Sequence, residues 1–239
     1  MKIRFSQIKF YLFAFCITIC CYTRISAQEN PVENYLQQTG DFADIYNGRI
    51  ETNYNALKYK NSPYYKNSDY TDASVVYRNI YYPNQKARLD LYREQLIILS
   101  PEKRYGIVVY SPDVEKILMY GKTFEWLNPP KEGGLKQGFY SHLSEGKKIQ
   151  LYGKDSYSLA QEMLAYRFDH NIRYYLLFDN RFYTVKNKGS FSKLFPQYKK
   201  QINQFAKSHK LNFKDENSED SFVSLAGYCE KLITSTGKE

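Results

Sequence analysis

The 239-residue chain is poor in the residues from which most catalytic and metal centres are built. It has three histidines, four cysteines and one tryptophan. His142, His170 and His209 are scattered, and no two have the spacing of ligands on one helix face. Zinc needs three or four converging donors, so structural roles are expected for all three: His170 in a loop, His209 half-buried on a helix stripe. There is no Cys-x-x-Cys for a zinc or redox site. Gly-x-Gly-x-x-Gly and Gly-x-Ser-x-Gly are both absent. Gly121-Lys122-Thr123 matches the end of a phosphate-binding loop, but Lys116 stands where that motif needs a glycine, so it reads as a turn between strands. No run of five basic residues, fixed-period repeat or low-complexity tract occurs. No cofactor is expected, and nucleic acid, which wants a concentrated basic patch, is not an expected partner.

What is present begins with an N-terminal leader. Lys2, Arg4 and Lys9 precede the uncharged run Phe10 to Tyr22, Arg24 follows, and Ser26-Ala27 supplies small residues before Gln28. That order of charge, apolar core and small residues is the layout of a signal peptide over residues 1–27. The run has 13 residues, against roughly 20 for a membrane-spanning helix, so no membrane span is expected after cleavage. A lipid-anchored form is the alternative, because Cys16, Cys20 and Cys21 lie in the run. Phe13-Ala14-Phe15 and Ile17-Thr18-Ile19 are not the small residues wanted before a lipidated cysteine. Removing residues 1–27 leaves Cys229 as the lone cysteine. It also takes Lys2, Arg4, Lys9 and Arg24 away, so the formal charge falls from +9 to +5. The chain must therefore be held by its core, without disulfides.

Residues 28–72 read as a helical lead-in, Asn30 to Asp44, interrupted at Gly40-Asp41, followed by a Tyr-rich extended stretch. Tyr46-Asn47-Gly48 carries the Asn-Gly pair of a tight hairpin turn. Residues 73–188 read as an antiparallel β region of short strands and polar turns, with Asp179-Asn180 joining Arg173 to Phe178 and Arg181 to Val185. Asp155 to His170 fits a helix or a lengthened strand. Asn128 to Gly134 is a Pro/Gly loop. Residues 189–239 read as helical. Ser190 to Leu211 has Leu194, Tyr198, Ile202, Phe205 and His209 near helical spacing, with Lys199, Lys200, Lys207 and Lys210 mostly elsewhere. Phe222, Leu225, Ala226, Cys229, Leu232 and Ile233 form a cleaner stripe after a cap at Asn217 or Ser218. The fold expected is mainly β with C-terminal helices (α+β): an antiparallel meander sheet or open barrel packed against two C-terminal helices, with residues 28–239 as one domain.

Tyrosine is the compositional peculiarity, at 25 residues, with aromatics at 17 %. Tyrosine suits half-buried strand positions. Its functional alternative is a ring-stacking face for glycan or peptide, and Tyr64, Tyr65, Tyr70 and Trp126, in or beside polar loops, are the candidate ligand contacts. Lys60 and Lys66 interleave with them and favour acidic ligands. Asp90, Glu94, Glu102, Asp113, Glu115 and Glu125 are the acids available in the β region for glycoside hydrolysis, but each reads first as an exposed strand or turn charge. No catalytic residue is assigned.

Four stretches carry a resemblance: the Ser26-Ala27-Gln28 leader end, Tyr46-Asn47-Gly48, the hairpin Tyr174 to Tyr183, and Lys193-Leu194-Phe195-Pro196 through Lys210-Leu211-Asn212-Phe213. In them the chain resembles a family of uncharacterised exported, signal-peptide-bearing proteins of Bacteroidota, with Asp179-Asn180 in place of a glycine-containing turn. The resemblance implies a periplasmic or surface-associated accessory protein and supplies no activity. The function expected is that of a non-enzymatic exported binding or accessory protein, whose partner is an unknown ligand or envelope protein. The alternatives are an extracytoplasmic hydrolase on glycan or peptide, and a periplasmic carrier of an apolar ligand.

Overall fold

The computed structural model describes residues 31–129, 135–214 and 218–236. The leader over 1–27, residues 130–134 of the Pro/Gly loop and the cap candidate Asn217 lie outside the described residues. The chain divides into two compact units, one ending at Ala43 and one beginning at Asp44. In the first, α1 (Pro31–Thr39) starts on proline, whose missing N–H is no loss in a first helical turn. It gives way at Gly40, whose φ is +47°, to a short 3-10 turn, Gly40–Phe42.

The second unit is built on eleven strands: β1 (Arg49–Ile50), β2 (Thr71–Tyr77), β3 (Ile80–Asp90), β4 (Gln95–Leu99), β5 (Gly106–Val108), β6 (Val114–Met119), β7 (Lys122–Leu127), β8 (Gly138–Glu145), β9 (Ile149–Glu162), β10 (Ala165–Phe178) and β11 (Arg181–Val185). They form one antiparallel sheet in the order β1-β5-β4-β3-β2-β6-β7-β8-β9-β10-β11. Two meanders, β2–β5 and β6–β11, are fused through the β2–β6 ladder, where Val75 lies opposite Ile117. The sheet is open, with β1 and β11 as its margins.

Local chemistry explains most turns. Asp179 and Asn180 have φ of 51° and 56°, the left-handed pair that a two-residue hairpin of matching twist requires. Asp and Asn reach that region more readily than other side chains, so a glycine is dispensable here. The ambiguous stretch Asp155 to His170 is strand, not helix: β9 and β10 are 14 residues each, in unbroken register from Ile149↔Phe178 to Glu162↔Ala165. One expectation fails. Asn47-Gly48 makes no hairpin, and the strand that follows pairs with distant β5, Arg49 opposite Val108. Gly48 is needed for that approach, since a Cβ there would sit 2.2 Å from the Val108 carbonyl oxygen.

The C-terminus folds as α2 (Lys188–Leu194), α3 (Lys199–Ser208) and α4 (Ser218–Thr236). Ser190 to Leu211 is therefore two helices rather than one, which makes three in all. The break falls at Pro196, which opens a 3-10 turn, Pro196–Tyr198, because proline has no N–H to continue the helical ladder. Asn187 caps α2 by accepting from the Gly189 and Ser190 N–H groups. The α4 stripe is buried at Phe222, Leu225, Ala226 and Cys229. It packs with Phe191, Phe195 and Ile202 against Ile149, Leu151, Tyr174 and Leu176 of the sheet. Each fully buried large aliphatic or aromatic chain there contributes about 1.5–3 kcal/mol. Glu230 pins α4 to the β8–β9 turn by accepting the Ile149 N–H at 2.7 Å. Among the described residues no helix is long and apolar enough to cross a membrane.

Candidate functional site

On α3, Ile202 and Ala206 face the core and are buried. Lys199, Asn203 and Lys207 recur every four residues and line one flank of the helix. Across from them α2 presents Lys188, Gly189, Ser192 and Lys193. Between the two helices lies a groove of about 1010 Å³, completed by Lys186 and Asn187 where the chain leaves β11 and by residues 210–214 beyond α3.

Seven lysines line this groove: Lys186, Lys188, Lys193, Lys199, Lys207, Lys210 and Lys214. No aspartate or glutamate is among its described lining residues. Among the described residues, none of the seven takes part in an ion pair, although lysines elsewhere do, for example Lys122 with Glu219 at 2.5 Å. Asp215 and Glu216, next in sequence after Lys214, lie outside the described residues. Clustered ammonium groups repel one another, and the groove is stabilised by any anion that enters it.

Ser192 adds a second, independent feature. It lines the groove, is 7 % exposed, and its Oγ has no hydrogen-bond partner among the described residues. A buried hydroxyl left unpaired costs about 1–3 kcal/mol. The floor is apolar, with Ala206, Leu211 and Phe213. A smaller groove of about 700 Å³ between β10–β11 and α4 shares Lys186, Phe213 and Lys214 with it.

The candidate aromatic contacts lie elsewhere, and the structure brings only two of them together. Tyr64 and Tyr70 flank the Arg88 guanidinium, at 4.3 Å and 4.6 Å from the two ring centres. Both hydroxyls donate to Glu51, at 2.8 Å and 3.1 Å, and Glu51 also pairs with Arg88 at 2.6 Å. Burial, with help from Glu51, pushes the Tyr70 hydroxyl up to about 12 and raises Tyr64 as well. Tyr65 is separate, edge-on to Phe124 at 4.8 Å. Trp126 lies against Phe139 at 4.9 Å.

The acids are equally engaged. Asp90 is 1 % exposed, accepts the Tyr54 hydroxyl at 2.7 Å, and takes the Tyr92 and Arg93 N–H groups on its other oxygen. Glu94 accepts from Lys154 at 2.6 Å and from the Phe139 N–H at 2.8 Å. Burial raises both carboxyls and depresses the Lys154 ammonium. Asp113 pairs with Arg78, and Glu125 with His142. Glu115 accepts the Asn79 N–H, and Glu102 lies 3.4 Å from Arg104. Each of these six acids thus has a partner among the described residues, in a turn or across strands.

The histidines differ from expectation. His170 lies in strand β10, not in a loop, and its Nε2 is 2.7 Å from Asp155 across the ladder. His209 is exposed at the end of α3, stacked on Phe205 at 4.0 Å. Its place on the apolar stripe lies past the last helical turn, where the chain turns away. Among the described residues no three His, Cys, Asp or Glu side chains converge as metal ligands would.

The lysine spacing on and just beyond α3 is readable in the sequence, where Lys199, Lys207 and Lys210 fall off the apolar stripe. What sequence reasoning missed is that α2 turns a second set of lysines toward them. Comparison with family models, curated proteins and solved structures finds no match to this chain.

Proposed function

We propose that this is an exported, non-enzymatic binding protein whose ligand is a polyanion, and specifically an acidic oligosaccharide. The observation that carries the reading is the groove of seven lysines without an acid among its described lining residues, set beside the buried Ser192 hydroxyl, which has no partner among the described residues.

The chemistry of the lining favours this class over others. Arginine would grip a single carboxylate or phosphate with two parallel bonds, whereas lysine is a mobile point charge. The lining contains seven lysines and no arginine, which suits several separated anionic groups rather than one. Asn203 offers a polar group for hydroxyls, and Leu211 and Phe213 offer an apolar surface for the C–H face of a sugar ring. A volume of about 1010 Å³ lies at the upper end of small-ligand pockets, room for a short oligomer. A purely apolar cargo would leave the lysines without a role, so the carrier reading is weaker. The six acids that the hydrolase reading would draw on all have partners among the described residues, which weakens that reading.

The test is calorimetric titration with a hexamer of galacturonic acid, with a neutral hexasaccharide as control. Binding is expected for the acidic oligomer alone, weakening as salt rises. K193E/K207E is expected to lower affinity about tenfold or more, while K200E, outside the groove, leaves it within twofold. Equal binding of the neutral oligomer, or undiminished binding by K193E/K207E, would overturn the reading. Tighter binding of a DNA duplex than of the acidic hexamer would overturn it in favour of nucleic acid.

A further inference from the structure

The longest hairpin ends in apolar side chains that nothing covers. At its tip Met163 is 96 % and Leu164 is 99 % exposed. Leu57 is 91 % exposed. It lies in a turn at the same end, because the adjacent segment runs beside β10. There the Tyr166 N–H donates to the Lys58 carbonyl at 2.7 Å and the Lys60 N–H donates to the Tyr166 carbonyl at 2.9 Å. Single exposed apolar residues are ordinary on protein surfaces, but three gathered on one projection are not.

We propose that this finger is a membrane-surface anchor, in which Leu57, Met163 and Leu164 enter the outer part of a lipid bilayer. Side-chain type changes in an ordered way along the finger. Behind the apolar tip come Tyr59 and Tyr166, ring centres 5.6 Å apart. Tyrosine has an apolar body and a polar end suited to the headgroup boundary. Behind them come Lys60 and Arg167, both ion-paired with Glu162, and Arg167 also pairs with Asp169 at 2.7 Å. At about 3.3 Å per strand residue, Tyr166 sits roughly 7 Å and Arg167 roughly 10 Å behind Leu164. Interfacial apolar groups bury about 5–10 Å into the boundary region. Glu162 lies opposite Ala165, only one residue behind the tip, but its carboxylate reaches back to Lys60 and Arg167, so the charged pairs are held at the headgroup boundary behind the apolar tip.

A lipid surface is favoured over a protein partner by shape and size. The tip is convex and offers three side chains, far below the roughly 800 Å² per partner of a stable protein interface. A bilayer demands no matching surface. The finger is also stiff enough to hold the tip out: Tyr59 stacks on Phe168 at 5.3 Å, and the Asn61 side chain both donates to and accepts from the Phe168 backbone at 2.8 Å.

The test uses the protein recovered from an exporting host and vesicles of phosphatidylcholine, which carry no net charge for the lysine groove to hold. Flotation is expected to carry the protein with the vesicles. M163D/L164D, on the same N-terminus, is expected to lower the bound fraction at least tenfold with an unchanged melting temperature. L164W is expected to shift its emission to shorter wavelength when vesicles are added. Equal flotation of M163D/L164D, or no shift in L164W, overturns the proposal. So does a dimer of the parent protein that M163D/L164D converts to monomer, since the tip would then meet a second copy. Groove variants such as K193E/K207E are expected to float as the parent does, which keeps this outcome separate from that of the proposed glycan site.

Discussion

Lys154 Nζ lies 2.6 Å from Glu94 Oε1 and also donates to the Phe139 carbonyl at 2.8 Å. The three residues belong to different parts of the sheet: Glu94 to the turn between β3 and β4, Phe139 to β8, Lys154 to β9. The cluster therefore links the β2–β5 meander to the β6–β11 meander at a place other than the β2–β6 ladder. Its cost is visible in the opposite pulls of burial, which raises the Glu94 carboxyl and lowers the Lys154 ammonium.

Breaking that pair should destabilise the fold without touching either candidate binding surface. Lys154 and Glu94 have side chains only 9 % and 21 % exposed. Removing one partner from a buried pair leaves the other charged and uncompensated, at about 3 kcal/mol or more. K154M and E94Q should each lower the urea midpoint by that equivalent. K154M/E94Q should recover part of the loss, because neither charge is then stranded. Additive losses in the double variant would mean that the two residues do not act as a pair.

A second pair predicts the pH profile. His142 Nδ1 lies 3.2 Å from Glu125 Oε1, with Glu145, Lys116 and the Tyr152 ring around them. The hydrogen bond to Glu125 raises His142 above its ordinary 6.5, against the opposing pull of burial, and the same bond lowers Glu125 below its ordinary 4.5. His142 Nε2 is buried without a partner among the described residues, which is part of what the carboxylates must outweigh. The histidine's contribution is complete below about 6.5 and fades as pH rises through its raised native value. The glutamate's is complete above about 4.5 and fades as pH falls through its lowered native value. The pair should therefore contribute most between those limits. The stability difference between parent and E125Q should peak in that window and shrink by pH 8. A difference that is flat with pH would remove the pair from the account.

Cys229 should be inert in the native protein. It is 1 % exposed within the α4–sheet core, and burial pushes its thiol up to about 12 from an ordinary 9.0. The thiolate is the reactive form, so at pH 8 a disulfide reagent should label it at least about a hundredfold more slowly than in urea. Labelling at equal rates in both states would place Cys229 outside the core. The measurement needs the form lacking residues 1–27, in which Cys229 is the single thiol.

How much of this was readable depends on sequence distance. Contacts between neighbours are written locally. The spacing Phe222, Leu225, Ala226, Cys229 marks the face of α4 that the core buries, and Asp179-Asn180 marks its hairpin. Contacts across the chain are not written so. The pairing of Val75 with Ile117 and of Arg49 with Val108 depends on how two meanders meet, which no period of 2 or 3.6 encodes. The candidate groove is of this second kind. Lys199 and Lys207 announce a polar flank of α3, but only the break at Pro196 turns α2 to face it. The tip of the β9–β10 hairpin was hidden for a different reason. Leu159, Met163 and Leu164 look like core residues to any reading by hydrophobicity, and in the structure all three are exposed.

Two glycines separate backbone need from backbone cost. Gly227 lies within α4, and a Cβ there would meet nothing within 4 Å. Glycine is not required there by native packing, and it acts through the extra freedom it gives the unfolded chain, which costs about 0.5–1 kcal/mol relative to alanine. G227A should therefore stabilise the protein by about that amount, raising its melting temperature by a few degrees. Gly48 is the opposite case. A Cβ there would lie 2.2 Å from a backbone oxygen of β5 and 2.9 Å from Ile107 Cγ2. A backbone neighbour cannot rotate away as a side chain can, so G48A should cost about 1–3 kcal/mol. The loss should be confined to the β1–β5 edge, and hydrogen exchange should quicken at Glu51, whose N–H donates to the Gly106 carbonyl at 2.8 Å. If G48A left stability unchanged or raised it, the close approach of Gly48 to β5 would not be a feature of the native state.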